Sequence, residues 1–122
     1  MPHLIVETTR ELAGSLDFGE VCATLHGALA ATGHVRLDDL KSRLLVAEAA
    51  LTGNTPADGF LVVHLLMTRP RPEPVQAELA ALVLRHFEAA VRAAAPQGVV
   101  QVCVLHRAVA PGAYRKTLVS PA

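Results

Sequence analysis

The sequence has no excess of either charge: 11 basic residues are balanced by 11 acidic ones over 122 positions. A protein that holds nucleic acid through its overall field needs a basic surplus, so the balance argues against that class. Charged residues are also sparse, at 18% against 52% apolar. So high an apolar share in so short a chain implies that part of the surface is buried in an oligomer. No stretch approaches the roughly 20 apolar residues of a membrane span. The N-terminus lacks a basic segment followed by a long apolar run, which argues against a secretory signal. Only two cysteines occur, Cys22 and Cys103, far apart and in no paired motif. They read as reduced, buried small residues of a cytoplasmic protein. There is no G-x-S-x-G elbow and no phosphate-loop glycine pattern. The six histidines (His3, His26, His34, His64, His86 and His106) show no metal-ligand spacing, so no metal or cofactor is expected.

What the sequence does have begins at its second position. Pro2 stands just ahead of the apolar run His3–Thr8. A small residue at position 2 favours removal of the initiator methionine, and Pro2 would then present a free secondary amine. Desolvation and nearby cations lower an amine's pKa toward neutrality. A base poised there suits proton abstraction beside a carbonyl.

The pattern along the chain predicts one domain over residues 1–122, long enough to bury a core. His3–Thr8 reads as a strand. Asp17 with Glu20 makes a capping box, and Phe18, Val21, Cys22, Leu25 and Leu29 follow at helical spacing, with Gly33 as the C-terminal stop. Residues 40–47 read as a second strand carrying Lys41 and Arg43 on one face. Residues 52–59 form a turn-rich loop. Phe60–Met67 reads as a strand buried on both faces. After Pro70, Pro72 and Pro74, a long amphipathic helix runs through Val75, Leu79, Leu82 and Val83 to Ala93, and residues 99–105 form the fourth strand. The order is βαβ followed by βαβ. It predicts an α+β fold with one four-stranded sheet and both helices on one face. No third layer remains for the other face, so association through the sheet is expected, as a homotrimer.

Basic residues cluster at Lys41 and Arg43, at Arg69 and Arg71, and at Arg115 and Lys116. Such short clusters suit a small anionic ligand better than a duplex. Taken alone, Lys41 and Arg43 fit an exposed strand face better than a ligand site, and Arg69 and Arg71 fit a solvated loop as well as a ligand contact. Glu7 fits a second proton-transfer group less well than a solvent or subunit contact.

Three segments carry a family resemblance: the opening MPHLIVE, AATGHVRLDDLKSR at residues 30–43, and RPEPV at residues 71–75. The chain resembles the 5-carboxymethyl-2-hydroxymuconate isomerases of the tautomerase superfamily from residue 2 to about 116. The resemblance implies a cytoplasmic, cofactor-independent homotrimer that moves a proton on a small enol or keto acid of aromatic catabolism. It places Pro2 on the catalytic proline and puts Lys41, Arg43 and Arg71 on substrate-binding cations. Tyr114 and Arg115 fall loosely on a Tyr/Phe–Lys pair. Lys41 stands where the family has an arginine, so the charge is kept and the planar fork is lost. Pro70 replaces a glycine. Two alternatives share the fold: a non-catalytic trimeric binding protein, and a tautomerase or hydratase with another substrate.

Overall fold

A computed structural model of the chain describes residues 1–122. The first strand, β1 (His3–Thr9), alternates strictly between half-buried and buried positions. Leu4, Val6 and Thr8 point into the core, and the Thr8 hydroxyl donates to the Phe60 carbonyl at 2.8 Å. That bond satisfies the one polar group on this inward face. His3, Ile5 and Glu7 take the opposite face.

A short helix, α1 (Arg10–Ser15), follows β1 directly and is anchored by Leu12 alone. The sequence reading has no helix here. Fewer than two turns with one apolar anchor give no visible 3.6-residue period. The second helix, α2 (Phe18–Ala31), is capped as expected: Asp17 Oδ1 accepts from the Glu20 amide at 3.2 Å. Cys22, Leu25 and Leu29 are its buried stripe. Gly33, at φ +80°, reverses the chain just past the helix, in a conformation that costs other residues. A 3₁₀ turn over Leu37–Asp39 then leads into β2 (Lys41–Ala47).

β2 pairs parallel with β1, with His3 opposite Lys41 and Ile5 opposite Arg43. β3 (Gly59–Met67) pairs antiparallel with β1, and β4 (Val100–Ala108) pairs parallel with β3. The sheet order is β2-β1-β3-β4. Between β3 and β4 runs α3 (Glu73–Ala94), whose buried residues Leu79, Val83, Phe87 and Val91 recur every fourth position. α3 packs on α2 and β4. This is the expected four-stranded α+β plan with the helices on one face.

The core is one cluster of 16 buried apolar residues between sheet and helices. The other sheet face contributes none of them. Its register places His3, Ile5 and Glu7 of β1, Arg43 and Leu45 of β2, Val62, His64 and Leu66 of β3, and Cys103, Leu105 and Arg107 of β4 side by side. Leu45 and Leu105 are 49% and 48% exposed. Two sequence expectations change here. β3 is buried on one face only, its residues alternating buried and half-buried. An apolar run cannot reveal whether the same chain supplies a cover for both sides. Cys22 is buried, whereas Cys103 is exposed because it lies on the uncovered face.

Candidate active site

The start of β1 carries the amine end of the chain. Pro2 is buried, and its carbonyl accepts from the Lys41 amide at 3.2 Å, extending the β1–β2 ladder by one step. The Met1 amine donates to Thr68 Oγ1 at 2.8 Å, and the Tyr114 hydroxyl donates to Met1 Sδ at 2.8 Å. Burial pulls the Met1 amine below its ordinary value. Asp39 opposes that shift, while Arg71, Arg69 and Lys116 reinforce it.

Around this end lies a recess of about 170 Å³ lined by Met1, Pro2, the 33–36 turn, Asp39, Arg69 and Arg71. Its walls come from three places. The reversal at Gly33 brings in His34 and Arg36, the 3₁₀ turn brings in Asp39, and the proline-rich segment after β3 brings in Arg69 and Arg71. Pro70 and Pro72 each fix a backbone φ, which stiffens this last wall. Arg71 is braced: its Nη2 donates to the His34 carbonyl and its Nη1 to the Arg69 carbonyl, both at 3.4 Å. The Gln76 side chain holds the Arg71 carbonyl at 2.6 Å. Burial, with Arg69 beside it, lowers the Arg71 pKa, yet a guanidinium stays charged at any ordinary pH. Asp39 pairs with Lys116 at 3.3 Å. The hydrogen bond from Lys116 holds the Asp39 carboxyl below its usual range, with the charges of Lys116, the amine and Arg36 acting the same way. The recess therefore offers an amine, three arginines and one carboxylate that already has a partner. An anion with a transferable proton fits this chemistry.

A family model for 5-carboxymethyl-2-hydroxymuconate isomerase matches residues 2–116. The chain belongs to the 5-carboxymethyl-2-hydroxymuconate isomerase family. It is an isomerase of the tautomerase type by that membership. Among solved structures it is similar to a 5-carboxymethyl-2-hydroxymuconate isomerase from Deinococcus radiodurans R1, at 22% identity and TM-score 0.81, covering 96% of this chain and 90% of that one. A 5-carboxymethyl-2-hydroxymuconate delta-isomerase gives 19% identity and TM-score 0.80, covering 97% and 88%. A native fused 4-OT gives 15% identity and TM-score 0.68, covering 93% and 91%. These likenesses show the shared fold. No curated protein matches the chain.

Of the four residues singled out in the sequence, the structure brings Pro2 and Arg71 into one recess. Lys41 stands at its edge, its Nζ donating to the Asp39 carbonyl at 3.3 Å. Arg43 lies further along the open sheet face, with its Nη1 3.2 Å from His3 Nδ1. Burial first, then Arg43 and Lys41, keeps His3 below its ordinary value, which suits an unprotonated Nδ1 facing a guanidinium. Glu7 sits five residues along β1 from Pro2, roughly 16 Å at 3.3 Å per residue. It is bound to His64, whose other ring nitrogen is 3.5 Å from Arg107. Within one chain it is too far away to serve the Pro2 amine. Arg115 donates to the Gly112 carbonyl, and Lys116 is the tail cation that reaches the recess wall.

The isomerase family segment at residues 30–43 contained His34, Arg36 and Asp39, yet nothing in their spacing marked them as recess residues. Thr68 was also missed, and Lys116 stood out only as half of a basic pair with Arg115, with no partner indicated. Lys116 meets Asp39 across 77 positions of sequence, and no local pattern encodes a contact of that range.

Proposed function

We propose that the chain, as one tautomerase unit spanning residues 1–122, is a cofactor-independent isomerase of small enol or keto carboxylic acids. Its base is the secondary amine of Pro2 after Met1 is removed. The observation that carries this reading is the amine end of β1 lying buried in a recess with Arg36, Arg69 and Arg71. A neutral proline nitrogen takes the enol O–H proton as the oxygen becomes a carbonyl. The same proton returns to a carbon further along the conjugated system, so the double bond moves and the atoms balance. Surrounding cations favour the neutral amine and stabilise the charge that develops on the oxygen. Arg71 holds a substrate carboxylate within the recess. Lys41 at the edge and Arg43 beyond it are the further cations proposed to engage a second anionic group. The family name supports 5-carboxymethyl-2-hydroxymuconate or a related diacid as substrate. The point charge of Lys41 favours looser recognition of that second group than an arginine fork would give.

The active form is proposed to be a cytoplasmic homotrimer. Its support is the uncovered sheet face with Ile5, Val62, Leu66 and Leu105. Two neighbours of the same fold are described as fused 4-OT trimers. Sedimentation equilibrium at micromolar concentration should give three subunits, and a clean monomer would contradict it. For the chemistry, Pro2→Ala in protein shown by intact mass to lack Met1 should cut turnover of a simple enol acid. A positioned general base contributes typically about 10²–10⁴-fold. Unchanged turnover would overturn the assignment.

A further inference from the structure

The tail after β4 has no regular structure, yet it is fixed at several points. The Val109 amide donates to the Met67 carbonyl at 2.8 Å, continuing the β3–β4 ladder. A turn follows, with the Ala113 amide on the Ala110 carbonyl at 3.0 Å and Gly112 at φ +86°. The turn sends residues 114–116 back over the amine end of β1. There Tyr114, the only tyrosine in the chain, donates to Met1 Sδ, and Lys116 pairs with Asp39 in the recess wall. The Met1 side chain thus spans from Pro2 to the tyrosine hydroxyl. Met1 itself lines the recess.

We infer that the Met1 side chain occupies the substrate's seat, and that Tyr114 is a substrate-binding residue whose hydroxyl donates to a substrate oxygen once Met1 is gone. The Lys116–Asp39 pair is a latch that positions it. The inference rests on the reading of Pro2 as the base and adds a group on the opposite side of the ligand. Sulfur is a weak acceptor. A carboxylate or enolate oxygen in its place gains a charge-assisted hydrogen bond, worth roughly tenfold or more in affinity. Removal of Met1 therefore does two things: it frees the amine and it opens the space between amine and phenol. Lys116 acts through Tyr114 and touches no ligand. It closes the strap onto Asp39, in the wall of the recess that also contains Arg36 and Arg71.

The test is equilibrium binding of salicylate, a stable aromatic 2-hydroxy acid that mimics an enol acid and undergoes no tautomerisation. Calorimetry compares protein lacking Met1, protein retaining it, Tyr114→Phe, Lys116→Met and the double variant. Tyr114→Phe should weaken salicylate roughly tenfold while keeping the ring. Lys116→Met should weaken it by less, and the double variant should bind no worse than Tyr114→Phe alone, because the latch acts only through the tyrosine. Protein retaining Met1 should show no saturable binding. Equal affinity for the parent and Tyr114→Phe would overturn the inference, as would additive losses in the double variant or tight binding with Met1 in place. Salicylate binding needs no proton transfer. If Pro2 proves not to be the base, turnover fails its own test while the dependence on Tyr114 stands.

Discussion

At the end of the sheet where β1 finishes, a hollow of about 460 Å³ lies between the 56–59 loop, α1 and the 94–98 turn. At the other end, where β1 starts, the recess beside Pro2 holds only about 170 Å³. The larger hollow has Glu11 and Asp58 as its only charged residues and no cation. Its walls are backbone clamps: the Gly59 amide donates to the Val99 carbonyl at 2.8 Å and the Val99 amide to Asp58 Oδ1 at 3.0 Å. Gly98 is needed there because a Cβ would come within 2.0 Å of the Ala57 carbonyl oxygen. The smaller recess gathers charges from distant parts of the chain around a titratable amine. Chemistry, and not volume, distinguishes the two ends. One end closes the fold, and the other gathers the charges on which the proposed reaction depends.

That contrast can be broken at either end. Arg71→Ala should lower kcat/KM on an enol acid by roughly tenfold or more, the worth of one charge-assisted contact. It should also shift the acid limb of the pH profile upward, because the neutral Pro2 amine loses a cation that shares its recess. Asp39→Asn should move that limb the opposite way, since the recess loses its one carboxylate, a charge that favours a protonated amine. At the far end, Glu11→Gln should leave kcat/KM and both limbs unchanged. Matching shifts from both ends would erase the distinction.

A smaller effect separates structure from chemistry. Gly98→Ala should cost about 1–3 kcal/mol of unfolding free energy as Ala57 is forced to shift, read from urea unfolding. Its kcat/KM per folded molecule should match the parent. A loss of activity larger than the loss of fold would place Gly98 in the site's machinery.

The smallest effect runs through the whole chain. Burial holds His26 and His106 below the ordinary imidazole value, and burial with Arg43 and Lys41 does the same for His3. The unfolded chain takes up these protons near pH 6.5, where the native state resists them. The contribution of these groups to stability is thus complete above about 6.5 and declines as pH falls through their lower native values. Urea midpoints measured from pH 7.5 to 5 should fall over that window. His106 Nε2 is buried without a partner, so His106→Leu should shrink the decline at little cost.

The sequence spoke clearly where structure is local. The Asp17 cap and the Gly33 stop bounded α2, and the fourfold spacing of Leu79, Val83 and Phe87 defined α3. Alternation along a strand places Lys41 and Arg43 on one face from the sequence alone. α1 was invisible because Leu12 alone carries no period. The one-sided burial of β3 was hidden because an apolar run looks the same whether a second layer comes from this chain or another. In the recess, Pro2 and Arg71 were legible from position and resemblance. The Asp39–Lys116 pair and the Tyr114–Met1 contact were not, since each joins segments whose meeting depends on the completed fold.

The central claim is that the amine of Pro2, tuned by the cations around it, is the proton carrier. It is tested most directly by ¹⁵N-proline NMR of active protein lacking Met1, following the Pro2 nitrogen through a pH titration. The account predicts a single titration of a secondary amine, below that of a free N-terminal proline in an unfolded peptide, with the same midpoint as the acid limb of kcat/KM. A fully active protein whose Pro2 nitrogen is an amide, or whose amine titrates at a midpoint unrelated to that limb, would contradict it.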